Sequence, residues 1–589
     1  MHPKQFRIRT ALVSSALIGA IFLPSCSDDS NPNNATLAGD DAGSTIDDAS
    51  PQEPGRDAGK DAANGGDKDA TPGEDDAGRD AEADADAETP APTGRWTTGD
   101  LHAHTFQSDD AQVSLQALLD LAFTKYGLDW MTVSNHLRLE GRDNTGVSYP
   151  GGSIPFSKGM ANYEAPFIKA QLDAGKYSGK VIFSGFEWDI PTHDHGGIGI
   201  LGDVPMSATS LKAVNQFEYL FTNRDASLFD PADVAAWNEK DARAYSTHAD
   251  SVAAIKWLKS HFPTTSYMAI NHPSRNTGKY TIAQLREMND AAPDIVFALE
   301  GMVGGQMEPD RGGYTTAYVK ANLPNRTYGG VDYMVAKLGG VWDALLGEGR
   351  HIWNIADSDF HFQTAQGIYS SGYAPGEYAK NHVFVDGKDI FAVLKGFRSG
   401  KAFGTYGDLI DALDFTVKGK TATADMGSEL TGKAGDEIEI KIRFRSPDHN
   451  NYEYPLGSGN SASVRPNVNH VDLIVGDVTG RAAPGTAAYD VATNSSTKVL
   501  ARFTKNDWTV DKDGYCVVSY KVKADKSQYF RLRGTNLGTD VAGETVNGEP
   551  LPDAKITVTE DQARFDAINA RNYNDLWFYS NPVFVTVTP

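Results

Sequence analysis

Between residues 96 and 406, helical and strand-like patterns of hydrophobic positions alternate along the chain, which predicts an α/β fold. Residues 114–126 carry apolar side chains three and four positions apart, with Ser114 as N-cap and Gly127 as stop signal, and they predict a helix. Helical spacing returns at 251–261 and 333–346. Short apolar runs predict the strands, namely 128–134, 180–186, 198–201, 267–270, 295–299 and 351–356.

From residue 407 onwards the helical patterns nearly vanish. Residues 437–445 alternate strictly, so that one face carries the apolar side chains of Ile438, Ile440, Ile442 and Phe444. Similar runs predict further strands at 471–475, 499–503, 516–522, 529–533 and 583–587. Short alternating strands between polar turns indicate an antiparallel β-sandwich over 407–589. We expect this β-sandwich to pack against the preceding region rather than to bind carbohydrate or the cell envelope.

The first 26 residues have the three parts of a secretory signal: basic residues at the start, an apolar run at 11–23 and a cleavage motif. The motif Leu23-Pro24-Ser25-Cys26 resembles a bacterial lipobox, in which Cys26 would carry lipid and become the mature N-terminus. An ordinary cleaved signal peptide is the alternative. In both cases the mature protein leaves the cytoplasm, and we expect it in the cell envelope, attached to the membrane through Cys26.

Residues 27–94 are a low-complexity segment of Asp, Ala, Gly, Pro and Asn, and we expect a disordered tether there. The segment holds 19 acidic and 4 basic residues, which accounts for most of the net charge of −24. The acidic balance therefore describes the tether, and no basic groove for nucleic acid is indicated. Cys516 is the only cysteine besides Cys26, so a lipidated Cys26 excludes an intramolecular disulfide, and we expect Cys516 to be a buried thiol.

Metal-ligating side chains occur where the predicted strands end. His102 and His104 follow the first strand, and strand alternation turns both imidazoles to the same side, where they can share one metal ion. In barrels of parallel strands the active site lies at the carboxyl ends of the strands. Further candidates at strand ends are His136, Glu187, His272, Glu300, Asp357, Asp359 and His361.

These motifs, in this order over residues 96–405, resemble the PHP (polymerase and histidinol phosphatase) family of metallohydrolases. The motifs are Asp100-Leu101-His102-Ala103-His104-Thr105 with Ser108-Asp109, Ser134-Asn135-His136, Gly185-Phe186-Glu187, Asn271-His272-Pro273 and Ser358-Asp359-Phe360-His361. The stretch 393–403 is similar to the closing helix of the branch related to carbaryl hydrolase. The resemblance implies a distorted seven-stranded βα barrel, similar to a TIM barrel, over 95–406, followed by the β-sandwich domain.

The resemblance also implies two or three divalent metal ions, which could be Zn, Mn or Fe. One ion would bind His102, His104 and Asp359, and another would bind Asp109, His136 and His361. Glu187 would bridge two ions, and His195 with His272 would complete the remaining site. His195 is preferred to His193 because the residues after it resemble the family's strand, and Asp110 is the alternative to Asp109.

Three residues in or near the candidate site depart from the family or have an open role. The family often has an Asp before the histidine of the second motif, where this chain has Asn135, so the polarisation of that ligand changes. Arg275 follows His272 by three residues and is a candidate for binding an anionic substrate group, or a surface residue. Arg311 lies in the glycine-rich stretch 301–313, which we expect to be a surface loop, with a mobile rim or lid of the cleft as the alternative.

The function that follows is metal-dependent hydrolysis of a small-molecule ester, with a phosphoester as the leading substrate. A hydroxide bridging the metals would attack, because metal binding lowers the pKa of water towards neutrality. Glu187, Asp359, His361 and Arg275 are the expected catalytic residues, and the spare side of His136 or His361, or a metal-bound water, would protonate the leaving group.

Three alternatives remain beside phosphoester hydrolysis. A carboxyl or carbamate ester is the second substrate class for the same site. A non-catalytic lipoprotein with a structural metal site would need fewer ligands, since four suffice for zinc. An amidohydrolase-type barrel also begins with two such histidines, but it needs a bridging lysine where this chain has Glu187.

Overall fold

The computed structural model describes residues 94–314, 325–362, 370–451 and 465–588. The predicted signal peptide with its lipid anchor at Cys26 and the predicted tether lie outside these residues, except for Gly94, and they stay predictions. No helix within the described ranges combines the length and the apolar character that crossing a membrane requires.

The strands of the first half of the chain are β1 (Arg95–Asp100), β2 (Trp130–Val133), β3 (Leu139–Glu140), β4 (Ile154–Pro155), β5 (Val181–Ser184), β6 (Phe186–Asp189), β7 (His195–Ile200), β8 (Ser266–Ile270), β9 (Val296–Met302), β10 (Trp353–Ala356), β11 (Ala379–Val385) and β12 (Ala402–Tyr406). The second half adds β13 (Ala412–Lys418), β14 (Thr423–Asp425), β15 (Glu429–Lys433), β16 (Asp436–Arg445), β17 (His470–Asp477), β18 (Lys498–Thr504), β19 (Thr509–Val510), β20 (Cys516–Ala524), β21 (Gln528–Thr535), β22 (Thr545–Val546), β23 (Glu549–Pro550), β24 (Trp577–Ser580) and β25 (Val583–Thr588).

The α-helices are α1 (Leu115–Leu119), α2 (Phe156–Gly159), α3 (Ala165–Asp173), α4 (Ala208–Phe221), α5 (Pro231–Asn238), α6 (His248–His261), α7 (Ile282–Ala291), α8 (Tyr333–Ala336), α9 (Val341–Leu346), α10 (Ile390–Ser399) and α11 (Asp561–Asn574). The helix predicted at 114–126 is confirmed. The side chain of Ser114 caps it, its second half is π-helical, and Gly127 follows with a φ of +72°.

Three large sheets contain most of the strands. The first runs in the order β15-β25-β21-β24-β12-β11-β1-β2-β5, with β17 paired to β21 and β18 to β17. The second runs β10-β9-β8-β7-β6, and the third runs β14-β13-β16-β20-β19. Within this order β1, β2 and β5 are parallel to one another, as are β8, β9 and β10.

The first two sheets meet at residues that also carry the candidate site. An isolated parallel bridge joins Ala103 to Phe360, and a second one joins His136 to Glu187. Gly185 alone separates β5 from β6, where the chain passes from one sheet to the other, and a Cβ there would lie 2.7 Å from the carbonyl oxygen of Ile198. The expected seven-stranded barrel is thus represented by parts of two sheets, and its closure stays a prediction.

The expectation that Glu187 and Glu300 follow the ends of their strands needs a correction, and His195, which was expected ahead of a strand, lies in a strand of reversed direction. His195 is the first residue of β7, which runs antiparallel to both β6 and β8. Because an antiparallel strand runs in reverse, its beginning lies at the edge where its neighbour β8 ends. Glu187 and Glu300 lie inside β6 and β9, and not after them.

The third sheet is antiparallel throughout, and it confirms the alternation predicted for 437–445. The side chains of Ile438, Ile440, Ile442 and Phe444 are buried in it. At the predicted domain boundary, however, β12 pairs with β24, so one sheet continues across residue 406. The boundary and the sandwich stay predictions. Cys516 is half-buried, which differs from the expected burial, and burial raises the pKa of its thiol.

Helix α11 was not predicted. The side chain of Glu560 caps its N-terminus by accepting hydrogen bonds from the backbone N–H groups of Gln562 and Ala563. The helix contains mostly polar residues, and Phe565, Ile568 and Tyr573 are its large buried apolar residues. This spacing is too sparse for a recognisable apolar stripe.

Candidate metal centre

The chain that leaves β1 turns two histidines to the same side. The Nε2 atoms of His102 and His104 are 3.1 Å apart, and both side chains are buried. Ala103 between them packs into a separate apolar cluster, and its N–H donates to the Oγ atom of Ser134. The predicted strand alternation therefore does bring the two imidazoles together.

Two buried carboxyl groups fix this end of β1 to the end of β10. Asp100 accepts hydrogen bonds from the N–H groups of His102 (2.8 Å) and Ser358 (3.0 Å), while Asp357 accepts from the N–H of Leu101 (2.7 Å). Burial raises the pKa of Asp100 to about 7, and burial together with Asp100 raises the pKa of Asp357 well above its usual value. Asp100 thus binds the backbone next to Asp357, and Asp357 binds the backbone next to Asp100. These two contacts hold the histidines after β1 and the candidate ligands after β10 in fixed relative positions.

Glu187 in β6 lies at the centre of the site and is buried. Five imidazole nitrogens lie within ion-pair distance of its carboxylate: His102 Nε2 (3.0 Å), His195 Nδ1 (3.1 Å) and His272 Nε2 (3.2 Å) near Oε1, and His136 Nδ1 (3.0 Å) and His104 Nε2 (3.6 Å) near Oε2. A single carboxylate thus faces ligands from β1, β2, β7 and β8. This is the geometry expected of a bridging ligand.

Asp359 brings a second carboxylate to the first pair of histidines. Its Oδ1 atom lies 3.2 Å from His102 Nε2 and 3.3 Å from His104 Nε2, and its Oδ2 atom accepts a hydrogen bond from Arg275. Asp359 has a φ of +45° and His272 a φ of +26°, in the region that favours glycine. Such strain persists where the surrounding structure imposes it, and it is concentrated at functional sites.

Asp110, and not Asp109, lies at the position expected of the carboxylate ligand. Asp110 Oδ2 is 3.1 Å from His136 Nε2, and Asp110 Oδ1 is 3.5 Å from His361 Nε2. The side chain of Asp109 is 73% exposed and lies 3.9 Å from Arg138 Nη1. The structure thus places the alternative residue Asp110 in the cluster and Asp109 outside it, and metal binding by Asp110 stays a prediction.

The nitrogens of His136 and His361 face other groups of the site or the backbone, which argues against the expected proton donation by their spare sides. His361 Nδ1 donates to the backbone carbonyl of Asp359 (3.0 Å), so its Nε2 atom faces Asp110. His136 has Glu187 at one nitrogen (3.0 Å) and Asp110 at the other (3.1 Å). Both imidazoles therefore face the ligand cluster, and neither keeps a nitrogen directed towards a separate leaving group.

The structure brings His195 to the site and directs His193 away from it. His195 lies between Glu187 (3.1 Å) and Asp189 (3.0 Å). His193 Nε2 is 2.8 Å from His248 Nδ1, outside the ligand cluster. The preference for His195 over His193 agrees with these positions, although metal binding by His195 stays a prediction.

Two side chains that contact the histidines were given no role from the sequence. Glu300 lies 3.0 Å from His102 Nδ1, and Ser108 Oγ lies 3.0 Å from His104 Nδ1. Such partners fix the orientation of a ligating imidazole and raise its basicity. Glu300 was noted in the sequence only for its place at the end of a predicted strand, whereas a single serine in a turn gives no signal.

Asn135, where the family often has a carboxylate, connects the site to a carboxyl group further away. Its Oδ1 atom accepts from Ser108 Oγ (3.0 Å), the hydroxyl that contacts His104, and its Nδ2 atom donates to Glu164 (2.7 Å). Glu164 also accepts from Ser184. Burial raises the pKa of Glu164 to about 7 despite these hydrogen bonds.

Arg275 supports a candidate ligand in this structure. Its guanidinium donates to Asp359, and its Nε atom donates to the carbonyl oxygen of Gly312 (3.0 Å). The side chain is mostly buried, so the alternative of a surface residue does not hold. Binding of an anionic substrate group by Arg275 stays a prediction.

The buried polar atoms of the site fit a set of metal ligands. Although several of them lie within ion-pair distance of a neighbour, these buried site atoms have no hydrogen-bond partner of suitable geometry within the described residues: Asp110 Oδ1, His136 Nδ1, Glu187 Oε2, His195 Nδ1, His272 Nδ1 and Asp359 Oδ1. Unpaired buried polar atoms are uncommon and costly. Bonds of about 2.0–2.2 Å to one metal ion place neighbouring ligand atoms roughly 3–3.5 Å apart, which is the spacing seen between these groups.

The ligand groups that lie within reach of one ion differ somewhat from those implied by the resemblance. His104 could bind one ion together with His136 and His361. His102 could bind one together with His272 and Asp359. Glu187 belongs to more than one group, among them those of His102 with His104 and of His136 with His195. The sharing of His104 and Glu187 indicates a compact cluster.

The charges of the site depend strongly on one another. Burial would raise the pKa of Glu187, but His195 and the other imidazoles hold it well below its usual value. Burial lowers the pKa of His361, yet Asp110 outweighs this and raises it to about 9, whereas burial and His361 lower the pKa of His104 well below its usual value. Protons and metal ions therefore compete for these ligands, so metal binding is expected to release protons.

Comparisons with known proteins give one distant match. No protein-family model matches the sequence, and no curated protein is significantly similar to it. Among solved structures, the fold is similar to a two-domain protein from Bacteroides vulgatus that contains a predicted PHP-like metal-dependent phosphoesterase. The match covers 79% of this chain and 94% of the other, with 11% identity and a TM-score of 0.31, and it carries no argument about the site.

The positions of Asp109 and Asp110 predict opposite outcomes for two matched variants. Asp110→Asn removes the charge that faces His136 and His361, and we expect the loss of metal from that group. Asp109→Asn changes an exposed side chain and should leave the metal content unchanged. Elemental analysis after reconstitution measures both, and loss of metal from Asp109→Asn alone would contradict the assignment.

Glu164 should make the stability of the metal-free protein depend on pH. Because its folded pKa of about 7 exceeds the ordinary value of 4.5, its contribution is fully present below pH 4.5 and is lost as the pH rises through 7. Relative to Glu164→Gln, the wild type should lose up to about 3 kcal/mol of unfolding free energy over this window. Urea unfolding of both proteins from pH 4.5 to 8 tests this, and parallel pH curves would refute it.

Proposed function

We propose that this protein is a metal-dependent hydrolase of the PHP type that acts on phosphoesters. The observation that carries the proposal is the buried carboxylate of Glu187, which faces five imidazoles while its Oε2 atom lacks a hydrogen bond. A purely structural zinc site needs four ligands, and this cluster offers more than twice as many candidates. The ordered PHP-like motifs of the sequence supply the reaction class.

The proposed cofactor is a set of two or three divalent ions of Zn, Mn or Fe. His102, His104 and Asp359 would hold one ion, and His136, His361 and Asp110 would hold another. His195 and His272 would complete the third position, with Glu187 shared between ions. Divalent ions in such a site supply Lewis acidity, which activates water and polarises the ester.

The protein's own residues prepare the site by orientation and charge. Glu300 and Ser108 fix the rings of His102 and His104 through the nitrogens that face away from the cluster. The carboxylate of Asp359 is held by Arg275, which limits its rotation. These contacts preorganise the ligands, so that little rearrangement is needed when substrate binds.

Replacement of Glu187 tests the proposal, with Glu140 as a matched control. Glu140 is equally buried, but its partners are Gln107 and Tyr149 and not histidines. We expect the wild type to bind at least two equivalents of metal and to hydrolyse a chromogenic phosphate ester, with loss on chelation and recovery with added metal. Glu187→Gln should lose at least one equivalent and about 10³-fold in rate, equivalent to several kcal/mol, whereas Glu140→Gln keeps its metal.

The same measurements separate the alternatives. Less than one equivalent of metal in the reconstituted wild type would contradict the proposal. Turnover of carboxyl or carbamate esters without turnover of phosphate esters would assign the site to the second substrate class. Bound metal without hydrolysis of any ester would favour a non-catalytic metal-binding protein.

A further inference from the structure

We propose that the C-terminal region positions a ligand of the metal centre, because residues 553–575 hold the segment 303–314, which in turn holds Arg275 and Asp359. The segment follows β9 and forms one wall beside the site. This inference rests on the proposed metal-binding function and assigns the C-terminal region a role in that site.

The outer side of the segment is fixed by Arg311, which is fully buried and not on a surface loop as expected. Its Nη1 atom donates to Asp553 (2.8 Å) and to Asp575, and its Nη2 atom donates to the carbonyl oxygen of Asp575 (3.0 Å). Arg311 has a φ of +50°, so the backbone is held in an unfavourable conformation. The two carboxylates compensate a guanidinium that would otherwise be buried without a counter-charge.

Helix α11 adds contacts to the same side of the segment. Arg571 donates to the carbonyl oxygens of Pro309 (2.8 Å) and Glu308 (3.1 Å). Asn572 donates to the carbonyl oxygen of Gln306 (2.7 Å). Three carbonyl groups of the segment are therefore held by side chains that lie about 260 residues further along the chain.

The inner side of the segment lies directly on the backbone around Asp359. The N–H of Gly305 donates to the carbonyl oxygen of Ser358 (3.1 Å), and the carbonyl oxygen of Gly312 accepts from Arg275 (3.0 Å). A Cβ at Gly304 would lie 2.1 Å from the Ser358 carbonyl oxygen and 2.4 Å from Asp359 Cβ, so only glycine fits there. A displacement of the segment must therefore move Arg275, Asp359 or both.

The expected consequence is weaker metal binding when the outer contacts are lost. Asp359 has the strained φ described above, and its Oδ2 atom depends on Arg275 for its orientation. Residues that orient a ligand without contacting the metal typically change metal affinity about 10- to 100-fold when they are replaced. We expect a loss in this range for Asp553→Asn, which keeps the volume of the side chain but removes its charge.

Asp472→Asn is the matched control. Asp472 is also buried and pairs with two arginines, Arg502 (2.6 Å) and Arg533 (2.9 Å), but its partners lie in β18 and β21. Both variants thus neutralise one buried carboxylate of the C-terminal region that is paired with arginine. A loss of stability common to both cannot explain a difference in metal affinity between them.

The experiment is a competitive titration of zinc against a chromogenic chelator, with the wild type and both variants at a temperature where circular dichroism shows all three folded. We expect a 10- to 100-fold weaker affinity for Asp553→Asn and a change of less than twofold for Asp472→Asn. If Asp553→Asn does not fold, Arg571→Met replaces it, since it removes the contacts of Arg571 to the carbonyl groups and leaves the pair of Asp553 and Arg311 intact.

The outcomes separate this inference from the function on which it rests. Equal zinc affinities of the wild type and the Asp553 or Arg571 variant would overturn the positioning role alone. An equal loss in the Asp472 control would also overturn it, because the effect would then be general. A wild type that retains no zinc would overturn the proposed function and this inference with it.

Discussion

The structure depends on the burial of one carboxylate, Glu187, among imidazoles that belong to separate strands. Bringing Glu187 into contact distance of five histidines removes all of these groups from water, which is unfavourable unless their charges and lone pairs are satisfied. Protonation of some imidazoles satisfies part of the charge, but Glu187 Oε2, Asp110 Oδ1 and Asp359 Oδ1 still lack hydrogen bonds. A cation between these atoms would compensate them, and this need is the physical basis of the proposed metal centre.

The fold meets this constraint by joining two sheets at the site. The bridges Ala103–Phe360 and His136–Glu187 place the end of β1 beside the chain after β10 and the end of β2 beside β6. Because β7 runs antiparallel to β6 and β8, His195 at its start lies beside residues at the ends of other strands. Carboxyl groups hidden behind the ligands, Asp100 and Asp357, bind the backbone of both strands, so the ligand positions are set by the scaffold and not by flexible loops.

Much of the site was predictable because local periodicity determines it. The two-residue spacing of His102 and His104 fixes their common side, and strand-end positions identified His136, Glu187, His272 and Asp359. The choice between Asp109 and Asp110 was not predictable in the same way, since a turn has no repeating direction for its side chains. The direction of β7 was also hidden, because apolar periodicity gives the position of a strand but not its orientation in a sheet.

Long-range contacts account for the remaining errors. Arg311 was expected on a surface loop because its neighbours are glycines, and its burial depends on carboxylates 242 and 264 residues away. Helix α11 was missed because its polar residues contact loops, as Asn572 does with Gln306, and so do not form an apolar stripe. Such pairs contribute nothing to a local pattern, so the connection between the C-terminal region and the site becomes visible only in the fold.

The most direct test of the central claim is anomalous X-ray diffraction from crystals of the protein grown with zinc. The account predicts two or three anomalous peaks within about 2.0–2.2 Å of the side-chain atoms of Glu187 and its neighbouring histidines, with Asp110 and not Asp109 in contact. The absence of any peak among these residues, while zinc is bound elsewhere in the crystal, would contradict the claim that they form a metal centre.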